Sequence, residues 1–312
     1  MKGLTMKKYA MPALVAAAVI TSAPALAADL APVYKAPPPP VSYNPWDVAV
    51  GAAVATDYNF RGISQSDRGP AGFAYFEARY NPTADFQWYA GIAAATVKLV
   101  TDPSAEIDFY GGLRSTFGAF QLDLGLMYYY YPKEQQQFID PTGTFVTSNP
   151  NLGFAPYTVG NTDFLELYAK GTYTFNDNFA LGGGVYYTDN WLGLKASGTY
   201  ASVNAKFTGT ALPNGAGWYA SGEVGKYWFG TGEFFGAALD LPDYTTWNAG
   251  LGFTYKAVTL DLRYYDTDAS KEECFVLTGD VRGVNNGTGQ SNWCSATFIA
   301  KLSFDTTLAA LK

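Results

Sequence analysis

Apolar and polar residues alternate along most of the chain after residue 45. The first alternating run begins at Trp46, and its apolar face ends in Tyr58 and Phe60. A period of two places successive side chains on opposite faces of an extended strand. An apolar face that ends in aromatic residues, opposite a polar face, is typical of a strand that crosses lipid into the headgroup region. The pattern therefore predicts a membrane-spanning strand over residues 46–60.

Eleven further runs have the same alternation. They cover residues 73–80, 87–99, 106–117, 121–131, 164–175, 179–188, 199–208, 217–228, 245–255, 258–267 and 296–304. Short turns alternate with longer connections, as in outer-membrane barrels, whose short turns face the periplasm. The pattern predicts an all-β fold, a transmembrane antiparallel up-and-down β-barrel of about twelve strands. In the run 87–99, Lys98 shares the face of Trp88, so we expect a β-bulge there.

The N-terminal residues have the features of a targeting segment. Lys7 and Lys8 precede the apolar run 9–20, and Ala25 and Ala27 supply a small-residue cleavage pattern. The run is shorter than the roughly 20 residues of a spanning helix. The predicted organisation is a cleaved signal peptide at 1–27, a Pro-rich periplasmic segment at 28–45, the barrel at 46–304 and a C-terminal tail at 305–312.

Composition and charge support export to the outer membrane of a Gram-negative bacterium. The chain has 24 Tyr, 21 Phe and 33 Gly, and 17% of its residues are aromatic. Its formal net charge is −7, which argues against a nucleic-acid partner because phosphates attract basic surfaces. The expected partners are outer-membrane lipid and lipopolysaccharide, small polar solutes or ions, and the barrel insertion machinery during biogenesis.

Histidine is absent from the chain, and its absence restricts the possible chemistry. Ser-His and Asp-His hydrolases need an imidazole as their base, and zinc sites rely on His and Cys. Glu106 and Asp108 lie two residues apart on one face, a spacing that we interpret as a hydrated lumen wall. We expect no enzymatic activity, no catalytic residue, no metal site and no cofactor.

The chain contains two cysteines, Cys274 and Cys294. An exported protein meets an oxidising compartment, where cysteine pairs form disulfides. The sequence therefore predicts one disulfide, within the long connection before the last strand.

The polar faces of the predicted strands define candidate pore-lining residues. They are Asp57, Asn59, Arg61, Glu77, Arg79, Glu106, Asp108, Arg114, Asp123, Glu166, Lys170, Lys206, Glu223, Asp261, Arg263 and Lys301. With eight acids and seven bases in this list, the charges on these faces are nearly balanced. Balanced charges form either ion pairs across a narrow interior or the lining of a water channel with weak ion preference. A barrel of about twelve strands falls between filled and open barrels, so both alternatives remain.

Residues 57–65 read DYNFRGISQ. This stretch resembles the DYxFRGxSQ opening motif of the TorF family of outer-membrane porins, and a looser likeness extends over residues 46–304. The resemblance implies a passive diffusion channel for small polar solutes or ions. The alternation itself directs Arg61 inward near the outer mouth, where it either lines a constriction or anchors the first loop by pairing with Asp57.

The predicted loops carry more acids than bases. An acidic entrance concentrates cations, so the channel is expected to have a weak cation preference. The alternative function is a sealed structural or adhesive surface barrel that acts through its external loops.

Overall fold

The computed structural model describes residues 44–140, 144–146, 155–213 and 215–310, so the predicted signal peptide lies outside the described residues. Twelve antiparallel strands form one closed barrel. They are β1 Trp46–Ala55, β2 Ala71–Thr83, β3 Phe86–Ala95, β4 Glu106–Phe117, β5 Phe120–Tyr130, β6 Phe164–Asn176, β7 Phe179–Trp191, β8 Ala196–Thr208, β9 Gly217–Phe229, β10 Tyr244–Tyr255, β11 Val258–Thr267 and β12 Thr297–Thr307. The predicted strand number is confirmed.

Each strand pairs with its neighbours in sequence, and β1 closes the barrel by pairing with β12. The pairing of β1 with β12 runs from Ala49 opposite Thr307 to Ala55 opposite Lys301. β12 therefore continues past Phe304, the residue at which the alternation predicted its end. Closure leaves no unpaired strand edge, which is a requirement for β-structure in lipid.

The outward face of the barrel is apolar although it is exposed. Phe298 is 81% exposed and Val203 is 68% exposed, and large apolar side chains on all other strands are similarly uncovered. Contiguous apolar surface of this kind marks contact with another apolar phase. Together with the closed barrel, it confirms the predicted transmembrane β-barrel. Among the described residues, no helix has the length and apolarity needed to cross a membrane.

The connections at the two ends of the barrel differ in length. Four of the turns at one end, which we call the turn end, contain two residues each: 84–85, 118–119, 177–178 and 256–257. The opposite end, which we call the loop end, carries the connections 56–70, 96–105, 131–163, 192–195, 230–243 and 268–296. The connection 192–195 is shorter than predicted, because β7 and β8 extend towards each other.

Two predictions about strand ends are wrong. β3 ends at Ala95 and pairs with β4 without a register shift, so no bulge is needed to keep Lys98 in phase. Lys98 lies in the following loop, and its Nζ is 2.8 Å from Asp67 Oδ2. β1 ends at Ala55 rather than Phe60, and the next residues turn into the barrel.

The last long loop contains two short helices, α1 Lys271–Thr278 and α2 Val281–Asn285. Ser270 and Glu273 form a capping box at the start of α1, which satisfies backbone N–H groups of the first turn. Cys274 in α1 is disulfide-bonded to Cys294, as predicted. The disulfide joins α1 to the residues that lead into β12.

Ion pairs connect this loop to the first loop. Arg282 Nη2 is 2.8 Å from Asp67 Oδ1 and 2.9 Å from Asp280 Oδ2. Burial alone would raise the pKa of Asp280, but the hydrogen bonds from Arg282 and Ser291 outweigh it and hold that pKa below its usual value. These pairs join the first and the last loop into one connected layer at the loop end.

Replacing Cys274 and Cys294 together with serine is expected to destabilise this layer and spare the barrel. The disulfide spans 20 residues, and closing a loop of that size contributes about 3 kcal/mol in the entropy model. Limited proteolysis should therefore cut the loop faster, while the band shift between unheated and boiled samples on SDS gels stays unchanged. Thiol labelling of unreduced, denatured wild-type protein should be negative, and stoichiometric labelling would contradict the disulfide.

Candidate functional site

Residues 57–66, which we call the plug, fold into the loop end of the barrel. Within the plug, Asn59–Phe60 pairs with Ile63–Ser64 as a small hairpin. Its turn residues Arg61 and Gly62 have φ values of 49° and 92°. Positive φ at both central positions is the geometry of a type I′ turn. An arginine in this region is strained, so the conformation is kept by its surroundings.

Gly62 places the hairpin directly against the barrel wall. A Cβ at this position would lie 2.3 Å from Thr267 Cγ2 and 2.6 Å from Thr246 Oγ1. These threonines belong to β11 and β10, near the loop end. The wall leaves no space for a side chain at the turn, so glycine is needed for both its φ and its size.

Arg61 is the main contact between the plug and the wall. Its Nη1 and Nη2 donate to the two oxygens of Glu166 at 2.6 and 2.8 Å, a bidentate pair. Tyr129 donates to the same carboxylate at 3.0 Å, and Tyr227 is 3.3 Å from it. Both partners are buried. A buried pair of this kind holds its position because either partner alone would be an uncompensated charge.

Aromatic side chains surround the Arg61 guanidinium. Its Cζ lies 4.5 Å from the ring centroids of Tyr186 and Tyr200, and 4.6 Å from that of Phe60. These distances fall within the range of cation–π attraction. Tyr244 donates its hydroxyl to the Arg61 carbonyl at 3.0 Å. Arg61 is thus fixed at its side chain and at its backbone.

The remaining polar residues of the plug bind within the plug or to β4. Asp57 Oδ1 accepts from the hydroxyls of Ser64 at 2.6 Å and Ser66 at 2.9 Å. Tyr58 donates to Glu106 at 2.5 Å. The predicted outward direction of Tyr58 and Phe60 is therefore wrong, because the chain has left the wall before them. The pairing of Arg61 with Asp57, one of two sequence-based alternatives, is replaced by the pairing with Glu166.

Towards the turn end, ion pairs follow one half of the wall. Arg114 lies 2.9 Å from Glu77 and 3.3 Å from Asp123. Arg79 and Lys170 extend the series, at 2.5 Å from Glu77 and 3.1 Å from Asp123. These residues belong to β2, β4, β5 and β6, which are near neighbours. The pairs run along the wall, and the side chains of Arg114 and Lys170 keep 25% and 37% of their surface accessible.

The other half of the wall carries a second, separate set of charges. Arg263 Nη2 is 2.9 Å from Asp261 on the same strand. Lys206 Nζ lies 4.4 Å from the ring centroid of Tyr219, and Lys301 Nζ lies 5.0 Å from that of Phe73. The structure does not bring these candidates into the network of Arg114. Whether they contact a permeating solute stays a prediction.

Directly beneath the plug lies a polar cavity of about 310 Å³. Arg61 forms part of its roof, and Asp108, Glu223 and Ser202 contribute to its walls. Among the described residues, three buried side-chain atoms have no hydrogen-bond partner: Asp57 Oδ2, Asn59 Nδ2 and Asp108 Oδ1. All three belong to the plug or to this cavity. Buried polar groups without a partner in the protein are rare, so the plug and this cavity differ from the rest of the described interior.

The sequence itself supports a family assignment. Residues 41–298 match a family described as a bacterial protein of unknown function, Gcw_chp, and the match covers well over half of the chain. The chain belongs to the Gcw_chp family. No curated protein matches this Gcw_chp chain. Membership of the TorF family stays a prediction.

Solved structures with a similar fold include channels and porins. The COG4313 outer membrane channel from Pseudomonas putida F1 is 12% identical with a TM-score of 0.45, over 84% of this chain and 95% of that chain. The NanC porin is 10% identical with a TM-score of 0.44, over 83% and 98%. The KdgM porin, in complex with oligogalacturonate, is 8% identical with a TM-score of 0.40, over 83% and 98%.

The aromatic residues around Arg61 in this Gcw_chp protein are not predicted by the sequence pattern. The alternation puts Tyr129 on the same face as Asp123, but it does not predict that Tyr186, Tyr200 and Tyr227 surround the Arg61 guanidinium or that Tyr244 binds the Arg61 carbonyl. The sequence indicates this cluster only through the tyrosines that occupy polar-face positions near the loop ends of several strands. Tyrosine is also abundant on lipid-facing surfaces, so the indication is weak.

Proposed function

We propose that this protein is an outer-membrane channel for passive diffusion of small polar solutes or ions, with the plug as its gate. The observation that carries the proposal is the course of the ion pairs below the plug. They connect neighbouring strands along the wall and keep accessible surface, as the Arg114 pairs with Glu77 and Asp123 illustrate. Charged walls that remain accessible favour water and hydrated solutes in the lumen.

The plug explains how the lumen is closed at the loop end without wall side chains that fill the whole barrel. In eight-stranded barrels the wall side chains themselves fill the interior. Here one hairpin, held by Arg61 and Glu166, occupies the loop end above a polar cavity. A segment inserted from a loop is a separate element, and its displacement does not require any strand pair to break. The arrangement favours a gated channel over a permanently sealed barrel.

Topology and resemblance favour the same conclusion about location. With the short turns in the periplasm, the loop end and the plug face the cell exterior. The likeness of residues 57–65 to the TorF opening motif favours a porin of a Gram-negative outer membrane. Membrane lipid, lipopolysaccharide and the insertion machinery are the proposed partners. Because the chain lacks histidine, we propose a channel without enzymatic activity.

Conductance of single molecules in planar bilayers tests the proposal. We expect brief openings from the wild-type protein and frequent openings once the plug is released. Folding is verified independently by the mobility difference between unheated and boiled samples. If neither the wild type nor a plug-released variant conducts although both are folded, the result would support the sealed structural or adhesive barrel instead.

Ion preference should depend on salt. The loops carry an acidic excess, partly neutralised by pairs such as Lys195 with Glu233 at 3.0 Å. The screening length is about 10 Å at 0.1 M salt and about 3 Å at 1 M, so mouth charges act over useful distances only at low salt. Reversal potentials across a salt gradient should show a mild cation preference near 0.1 M that disappears near 1 M. A preference that persists at 1 M would place its origin in the lumen wall instead.

A further inference from the structure

A second cavity lies on the other side of the plug, at the loop end of the barrel. Its volume is about 360 Å³. Phe60 and Ile63 of the plug form its floor, and the loop-end residues of β6, β7, β9 and β10 surround it. Helix α1 and Trp293, which the disulfide holds together, form another side. We call this space the loop-end cavity.

The loop-end cavity differs in chemistry from the cavity beneath the plug. None of its described lining residues is charged, whereas Arg61, Asp108 and Glu223 line the lower one. The lining consists mainly of aromatic and branched aliphatic side chains. Phe60 of the plug is the one described residue that lines both cavities, so the boundary between apolar and polar space lies at the hairpin.

Five aromatic side chains of the lining have their polar atoms engaged in hydrogen bonds. Five hydrogen bonds establish this: Tyr131 to Glu106, Tyr157 to the Gly279 carbonyl, Tyr227 to Glu166, Tyr244 to the Arg61 carbonyl, and Trp293 Nε1 to Asp67. Because these donors are already hydrogen-bonded, the side chains present mainly their ring surfaces to the cavity. A guest would therefore meet apolar faces and few free hydrogen-bonding groups.

We propose that the loop-end cavity is a binding site for a small uncharged aromatic molecule. Protein interiors are close-packed, and voids larger than a water molecule are few. Apolar cavities of about 150 Å³ already bind benzene-sized guests, and ligand sites begin at about 300 Å³. Trp191, Phe164 and Trp293 offer ring surfaces for offset or edge-to-face contact with an aromatic guest.

The same lining rejects charged and sugar-like molecules. Such guests would lose hydration, and the cavity has few polar groups with which to replace it. The site is therefore distinct in specificity from the polar lumen proposed above, and binding to it does not require conduction. Val276 of α1 borders the cavity and is 42% exposed, so on this side α1 lies next to the protein surface.

Fluorine NMR of protein containing 5-fluorotryptophan tests the proposal, with naphthalene as the neutral probe. The chain has seven tryptophans, and single Trp→Phe substitutions assign their signals. Trp191 and Trp293 line the cavity, whereas Trp46 and Trp88 are exposed on the outer surface. We expect saturable shifts of the Trp191 and Trp293 signals, with the two surface signals unchanged. Naphthalene-2-sulfonate, which has the same rings and a charge, should cause no such shifts.

Filling variants supply the matched control. Val100→Phe and, independently, Leu239→Phe add volume within the lining and should weaken naphthalene binding at least tenfold. Val203→Phe makes the same change on the lipid-facing surface and should leave binding unaltered. Equal, unsaturable shifts of all tryptophan signals would indicate partition into detergent and overturn the proposal. The proposal would also be overturned if naphthalene-2-sulfonate bound as tightly as naphthalene. The same conclusion would follow if both filling variants folded and kept the wild-type affinity for naphthalene.

Discussion

Arg61→Ala is expected to release the plug and to convert brief openings into a predominantly open channel. The substitution leaves Glu166 buried without its bidentate partner. Removing one member of a buried pair costs about 3–5 kcal/mol, and each 1.4 kcal/mol changes an equilibrium about tenfold. The open-to-closed ratio should therefore rise by about two to three and a half orders of magnitude. Open probability in planar bilayers is the measurement, and cation preference should increase because a positive charge has left the opening.

Arg79→Ala is the matched control for this substitution. Arg79 is also a lumen arginine that pairs with a glutamate, Glu77, but it does not contact the plug. Its loss should alter conductance modestly and leave open probability at the wild-type value. If Arg61→Ala lowers thermal stability while open probability stays unchanged, the hairpin is a structural anchor and the gate lies elsewhere.

Gly62→Ala should open the channel by a steric route that leaves the ion pair chemically intact. The added Cβ would overlap Thr267 and Thr246, and a φ of 92° disfavours any side chain. Overpacking costs about 1–3 kcal/mol, and positive φ adds about 1–2 kcal/mol. The open-to-closed ratio should increase roughly a hundredfold, as judged by the same open-probability recordings.

Gly72→Ala provides the comparison, because a Cβ at Gly72 of β2 meets nothing within 4 Å. This variant should conduct as the wild type does. If Gly62→Ala and Gly72→Ala had the same open probability, the close contact of the hairpin with Thr246 and Thr267 would not be needed to close the lumen.

The strands of the barrel could be predicted from sequence because each one lies between lipid and a polar interior. That environment forces the period-two alternation directly onto the residues. The same rule failed at the end of β1, where the plug hairpin is itself extended and alternates in phase with the strand. Gly62 was the local indication of a turn, but a single glycine also occurs within strands. Lys98 was misassigned for a related reason, since alternation continues by chance beyond Ala95.

The partners of the plug could not be predicted from local pattern at all. Arg61 and Glu166 are 105 residues apart, and Arg61 and Tyr244 are 183 apart. A polar face identifies residues that point inward without indicating which of them meet. The inner tyrosines add a further ambiguity, because their rings suit lipid headgroups, a cation cage or a packed core equally well. Only the closed barrel brings them around one guanidinium.

The plug is far in sequence from most of the strands that it contacts. This distance determines when the plug can dock during folding. The hairpin follows β1, whereas its contacts come from β6, β9, β10 and β11. Such distant contacts require the entropy of long chain segments to be lost before they contribute stability. Every molecule must therefore assemble most of its strands around an unoccupied interior before the hairpin docks. If the hairpin is the gate, as we propose, maturation passes through the open form and closure by the hairpin is its last step.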